Sequence, residues 1–160
     1  MSIPITAHFS LSEFDCHDQE RTPYPVDNKE DDGRTWFQSR LVPLCNMLEV
    51  IRAVCGGHSV TITSGYRTED HNEKLRSSDG SGTGVAKNSQ HVQGRAADFS
   101  IAGLAPVDVH AVVMHLYKTG ELPQLGGIGL YKGWVHVDVR PRGADNHLAQ
   151  WTDPAATRAV

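Results

Sequence analysis

Apolar residues follow the period of a helix in some segments of the chain and the period of a strand in others. The order of these segments constrains the fold. Residues 36–54 carry apolar side chains at helical spacing, and two glycines then stop the pattern. Pro43 is compatible with this helix if it lies in a first turn, after a break near Arg40. Residues 106–119 predict a second amphipathic helix, with valine and leucine on one side.

Shorter segments around the second helix predict strands, because they alternate or combine apolar and small residues over few positions. A short helix capped by Thr68 is predicted over residues 68–75, and a glycine- and serine-rich loop over 76–88. Ser10 or Ser12 is expected to cap a helical turn near the start. These elements predict one small α+β domain over residues 1–160, with helices packed on an antiparallel sheet. The predicted strands are residues 59–64, 96–101, 126–131 and 134–139.

Composition excludes several classes of protein. The formal net charge is -4 and no block of lysine and arginine occurs, which argues against nucleic-acid binding. No segment approaches the roughly 18 apolar residues of a membrane span. The first ten residues lack a basic start and an apolar centre, so we expect no signal peptide and synthesis in a cytoplasm. The three cysteines contain no CxxC pair, which predicts free thiols rather than disulfides or a thiolate zinc site.

Two of the nine histidines stand in informative contexts. His91 precedes Asp98 by seven residues, and a turn at Gly94 would bring the imidazole and the carboxylate to one point. His136 shares a face of the last predicted strand with Asp138, while valines occupy the other face. Such a polar face is either exposed to solvent or lines a site, and spacing alone leaves both open.

Two histidines and one carboxylate form a common catalytic zinc set, which leaves a fourth position for water. Imidazole nitrogen and a carboxylate oxygen suit zinc better than they suit calcium or magnesium. Water bound to zinc loses a proton near neutral pH and can attack a carbonyl group.

Three motifs in order resemble those of the M15 zinc peptidases, the D-alanyl-D-alanine carboxypeptidase family. Residues 89–98 match the SxHxxGxAxD pattern, residues 64–67 match SGYR, and residues 127–138 resemble the closing segment. The opening at residues 9–16 is similar to that of the phage-endolysin-like branch. The likeness covers residues 9–151, which is the expected core of the domain.

The resemblance implies roles for individual residues. His91, Asp98 and His136 would bind one zinc ion. Arg67 of the SGYR motif would stabilise the oxyanion or hold the substrate, and Ser89 would hydrogen-bond to the substrate. The family's fold is a small α+β domain whose antiparallel sheet carries the metal.

One position departs from the family. Several branches place a catalytic acid or base three residues before the last ligand, where this chain has Gly133. Asp138 is our first choice for the general base, and its alternative role is to orient a ligand imidazole or Arg67. Tyr131 is a candidate proton donor or oxyanion partner that would contact the substrate, or else a core tyrosine.

The resemblance implies zinc-dependent hydrolysis of an amide bond in the peptidoglycan stem peptide. The bond would be D-Ala-D-Ala at the stem end or L-Ala-D-Glu nearer the glycan. A monomeric phage or prophage lytic enzyme is expected, released by a holin or carried in a phage-like particle. The alternative is a non-catalytic, zinc-containing component of such a particle that binds the wall or has a structural role, which the glycine at position 133 keeps open.

Overall fold

The computed structural model describes residues 2–78 and 85–158. Within these ranges, three α-helices accompany one five-stranded sheet, which confirms the α+β class. None of the helices there has the length and apolar character needed to cross a membrane. In chain order the elements are α1 (Val42–Val54), β1 (Val60–Ser64), α2 (Glu69–Ser78), β2 (Ala96–Ile101), α3 (Pro106–Lys118), β3 (Gly127–Leu130), β4 (Val135–Asp138) and β5 (Ala149–Thr152).

The helix predicted over residues 36–54 consists of two pieces. A π-helical turn, Phe37–Leu41, leads into α1, and the proline lies in the first turn of α1 as expected. Because proline has no backbone N–H, an early position in the helix costs little, and the wider π turn lies directly before it. Gly56 and Gly57 end the helix with φ angles of 91° and 75°.

The other predicted elements lie within a few residues of their expected bounds. Ser10 precedes a short 3-10 turn, Leu11–Phe14, and forms a capping box with Glu13. Thr68 Oγ1 accepts a hydrogen bond from the backbone N–H of His71, so it caps α2 as predicted. Residues 79–84 of the predicted loop over 76–88 lie outside the described residues.

The sheet has the strand order β1-β2-β4-β3-β5 and is mixed. The first four strands pair antiparallel, as predicted, whereas β5 pairs parallel with β3. The sequence did not predict β5, because four residues that alternate between half-buried and exposed are too few to establish a period. After the β3–β4 hairpin the chain reverses once more, and β5 therefore runs parallel to β3.

The apolar core lies between the sheet and two of the helices. Helices α1 and α3 contact each other and the central strands. Phe99, Val137 and Ile128 project from the sheet into this core and are fully buried. Because side chains alternate along a strand, the residues between them project from the opposite face, which carries the polar groups described next. The three cysteines are free and buried, as expected.

Candidate metal centre

A single row of cross-strand neighbours crosses the polar face of the sheet. Asp98 lies opposite His136, which lies opposite Gly129, which lies opposite Trp151. Ser64 extends the row on β1 as the partner of Asp98. Directly opposed residues share a face, so strand pairing alone brings residues far apart in sequence to one place.

The three predicted metal ligands meet at this row. Asp98 Oδ1 lies 2.9 Å from His136 Nδ1 and 3.2 Å from His91 Nε2. All three side chains are buried, and one ligand atom from each lies within 4.8 Å of the others. Ligand atoms about 2.0–2.2 Å from a common ion lie roughly 3–4 Å apart, so the group fits one metal ion with small adjustments.

In His91 and His136, the ring nitrogen that faces away from Asp98 also has a hydrogen-bond partner. His91 Nδ1 lies 2.7 Å from the carbonyl oxygen of Gly65, and His136 Nε2 lies 2.9 Å from Asp138 Oδ2. Both acceptors require an N–H on that side of the ring, so the opposite nitrogen is the one that can bind a metal once it has lost its hydrogen. This pattern is typical of metal-binding histidines.

Glycines allow the backbone to place His91. Gly94 has a φ angle of 64°, and its carbonyl oxygen accepts a 2.7 Å hydrogen bond from the hydroxyl of Tyr24. The expected turn at Gly94 is thus present. A Cβ at Gly65 would lie 2.6 Å from Cα of Phe14, so only glycine allows this close approach.

The charges of the group suit a cation. Burial opposes ionisation of Asp98, but the charges and hydrogen bonds of His91 and His136 outweigh it and lower its pKa below the usual range. Burial likewise opposes ionisation of Asp138, yet hydrogen bonds from Arg140 and His136 lower its pKa to about 2. Burial lowers the pKa of His91. Two ionised carboxylates therefore surround the histidines at neutral pH.

Arg67 lies beside the metal group with its guanidinium fixed. It donates hydrogen bonds of 3.1 Å to Asn72 Oδ1 and to Ser64 Oγ, and its nearest nitrogen is 3.9 Å from Asp98 Oδ2. Asn72 in turn donates to the carbonyl oxygen of Ala86. We did not predict Asn72, because its place in the polar helix α2 gives no sign that it is buried.

Aromatic side chains form another wall. Trp151 Nε1 donates a 2.9 Å hydrogen bond to the Tyr131 hydroxyl, and the Tyr131 ring stacks on Trp134 at 4.8 Å. Burial raises the pKa of Tyr131, so the phenol keeps its proton at neutral pH. A Cβ at Gly129 would overlap the Trp151 indole, which explains the small residue there. We did not predict Trp151 as part of the site, because it lies on the unpredicted strand β5.

Asp138 lies behind His136, away from the open side of the site. Its side chain is fully buried, and both carboxylate oxygens accept hydrogen bonds from Arg140. Gly127 provides the space for this carboxylate. Gly133 lies in the turn between β3 and β4, where a Cβ would meet open space.

An open cleft of about 750 Å³ leads to the metal group. Its walls include the three ligands, Arg67, Ser89 and Tyr131, whereas Asp138 is not part of them. Ser89 accepts a 3.2 Å hydrogen bond from the backbone N–H of His91, and no acceptor for its own hydroxyl hydrogen is found among the described residues. The predicted substrate-contacting residues therefore line one cavity together with the predicted ligands.

A group of two histidines and one carboxylate, reached from a cleft and flanked by a fixed arginine, fits the metal centre of a metallopeptidase. The chain belongs to the peptidase M15 family, whose family model matches residues 7–138. The predicted family resemblance is thereby confirmed, and peptidases of this family depend on a metal.

Two similar proteins carry names for cell-wall enzymes. Over 84 residues the chain is 36% identical to the peptidoglycan L,D-endopeptidase MepK of Escherichia coli strain K12. The aligned segment covers 51% of this chain and 41% of that protein. The chain is also 34% identical over 84 residues to the probable peptidoglycan L,D-endopeptidase MepK of Haemophilus influenzae. That alignment covers 51% of this chain and 40% of the relative. The chain thus spans about two fifths of the length of the curated relatives it matches.

Proposed function

We propose that this protein is a zinc-dependent peptidase that hydrolyses an amide bond in the peptidoglycan stem peptide. The observation that carries this proposal is the His91–Asp98–His136 group in the wall of a cleft that Arg67 also lines. The names of the relatives support the substrate class. L-Ala-D-Glu joins an L to a D residue, whereas D-Ala-D-Ala does not, and the name L,D-endopeptidase therefore favours the first bond.

Zinc is the proposed ion because the donor atoms are two imidazole nitrogens and one carboxylate oxygen. When bound, zinc would polarise the scissile carbonyl group and lower the pKa of water to near neutrality. His91 and His136 would hold it through Nε2 and Nδ1, the nitrogens that face Asp98.

Other side chains would stabilise the developing charge and orient the substrate. Arg67 presents a guanidinium held by Ser64 and Asn72, so it loses little freedom when the carbonyl oxygen becomes anionic. The phenol of Tyr131 already accepts a hydrogen bond from Trp151, which leaves its own hydrogen free to donate into the cleft. Ser89 would hydrogen-bond to the peptide backbone of the substrate.

We propose that Asp138 positions His136 and is not the general base. Its two oxygens are occupied by His136 and Arg140, and its side chain is shut off from the cleft. A general base must reach the proton that it removes, directly or through one water. A buried carboxylate that accepts the far N–H of a ligand histidine instead fixes that ring and increases its basicity.

Asp138→Asn should separate these two roles. If Asp138 positions His136, zinc affinity falls about 10- to 100-fold, and the rate at saturating zinc recovers to within a few-fold of the wild type. Zinc content by mass spectrometry and rate against free zinc would be measured together, with Asp145→Asn on the surface as the control. If the rate of the variant remains more than about 100-fold below that of the wild type at full zinc occupancy, the proton transfer is assigned to Asp138.

Digestion of purified peptidoglycan tests the function as a whole. We expect fragments with a new amino-terminal D-Glu by mass spectrometry, and a chelator should stop their release until zinc is added back. Fragments that have lost only a terminal D-Ala would assign carboxypeptidase activity. Full zinc occupancy and wall binding without any fragment would support the alternative, a non-catalytic wall-binding component.

The biological setting stays a prediction. The monomeric state can be measured by light scattering. Release by a holin, carriage in a phage-like particle and a phage or prophage origin are expectations from the sequence resemblance, and cell lysis on expression with and without a holin would test the first of them.

A further inference from the structure

Two histidines in the cleft have no role in the proposed mechanism. His17 follows the first helical turn, Leu11–Phe14, and His71 lies in the first turn of α2. Both line the cavity that contains the metal ligands and Arg67. His17 interacts electrostatically with both His71 and Arg67. The three basic side chains therefore belong to the same end of the cleft.

This end of the cleft lacks a balancing negative charge. Among the described residues that line the cavity, Asp98 is the one carboxylate, and it is committed to the metal group. Burial lowers the pKa of His17, and the positive charges of Arg21, His71 and Arg67 lower it further. A negatively charged group placed here would be attracted by Arg67 and would favour the protonated form of His17.

The acidic residues close to His71 do not line the cavity: Glu69 and Asp70 lie beside it in the first turn of α2. The carboxylate of Asp18 interacts with His71, but it accepts hydrogen bonds of 2.8 Å and 2.6 Å from the backbone N–H and the hydroxyl of Thr22. Asp18 is not among the residues that line the cavity. Among the described residues that line the cavity, none offers His17 and His71 a free carboxylate, so a ligand is a suitable source of the anion.

We propose that His17 and His71 form a subsite for a free carboxylate of the substrate, next to Arg67. The inference rests on the proposed function and deepens it, since it specifies a stem peptide whose acidic group is not amidated. Imidazolium N–H groups and a guanidinium form charge-assisted hydrogen bonds with carboxylates, whereas a carboxamide carries no charge to attract. Two carboxylates of a stem peptide qualify: the α-carboxylate of its γ-linked D-Glu and the carboxylate of its C-terminus.

Three synthetic stem pentapeptides would distinguish these sources. One has both acids free, one has the D-Glu carboxylate amidated, and one has the C-terminus amidated. For the wild type, we expect amidation of the recognised carboxylate to raise KM about tenfold with little change in kcat, and amidation of the other to have no effect. The amidated peptide whose KM rises shows which of the two carboxylates the subsite binds.

The double variant His17→Gln, His71→Gln should lose most of this discrimination, because Arg67 is the one remaining cation of the subsite. Its KM for the free acid should rise most of the way to that of the amide, while kcat and zinc content stay within twofold of the wild type. His115→Gln, an exposed histidine on α3, is the matched control. The proposal is overturned if the wild type treats all three peptides alike, or if the folded double variant discriminates between them as strongly as the wild type.

A binding measurement on the wild type separates this inference from the proposed function. With the zinc-loaded protein, NMR of the histidine rings should show the pKa of His17 rising on addition of the acid peptide, but not of the amidated one. Protonated rings bind the anion, so the KM ratio of amide to acid should fall as pH rises above the free pKa of His17. If the acid peptide binds and raises the pKa of His17 but is not hydrolysed, the proposed peptidase function is refuted and the carboxylate subsite stands. If the peptide binds without raising the pKa of His17, the subsite is refuted.

Discussion

Replacing His136 by alanine is expected to abolish peptidase activity and to remove most of the bound metal. The imidazole lies between Asp98 and Asp138 and contacts both carboxylates at 2.9 Å. Its loss removes one of three ligands and leaves two buried carboxylates without their shared partner. Metal affinity should fall by more than the roughly 10- to 100-fold that loss of an outer hydrogen-bond partner costs, and activity by at least about 10³-fold.

The same variant should also be less stable without metal. Removing one member of a buried ionic group costs about 3–5 kcal/mol, because the remaining charges stay buried and unpaired. His136→Gln is therefore a useful second variant, since its amide reaches the position of the imidazole Nε2 and can still donate to Asp138 while it ligates poorly. Metal content, thermal unfolding and wall digestion would be compared with those of His115→Ala on the surface of α3. Retention of full metal content and activity by His136→Ala would exclude the three-residue centre.

The sequence predicted the ligands through a motif and through local geometry. The glycine turn predicted that His91 lies near Asp98, and the alternation of the last strand put His136 on a polar face. Strand pairing then supplied what spacing alone left open, because Asp98 and His136 are directly opposed in the β2–β4 register. The polar face of β4 is buried and lines a site, so solvent exposure is not the reason for its composition.

The partners that hold the site were harder to predict. Asn72 fixes Arg67 through a contact that depends on how α2 lies against the cleft, and no period in the sequence encodes that orientation. Trp151 reaches Tyr131 because β5 pairs with β3 across Gly129. The glycines on β3 were recognised as places of close approach, but the approaching groups, Trp151 and the Asp138 carboxylate, became clear only from the packing.

Replacing Arg67 by methionine should affect the rate and spare the metal. The guanidinium lies 3.9 Å from Asp98 and is fixed by side chains outside the ligand set, so its removal leaves the three ligands in place. Loss of one fixed donor to a developing oxyanion typically lowers the rate about 10²- to 10³-fold. Methionine fills most of the volume without the charge. We therefore expect kcat to fall by that factor with metal content unchanged.

Arg67→Lys and Arg34→Met complete this experiment. Lysine keeps the charge but cannot donate to Ser64 and Asn72 in the same fixed geometry, so it should recover only part of kcat. Arg34 lies in an exposed ion pair with Asp32, and its replacement should change neither rate nor metal. If Arg67→Met instead loses metal and rate together, the arginine acts by holding Asp98 in place. A rise in KM at constant kcat would show that it binds substrate and transition state equally, because only interactions that strengthen in the transition state raise kcat.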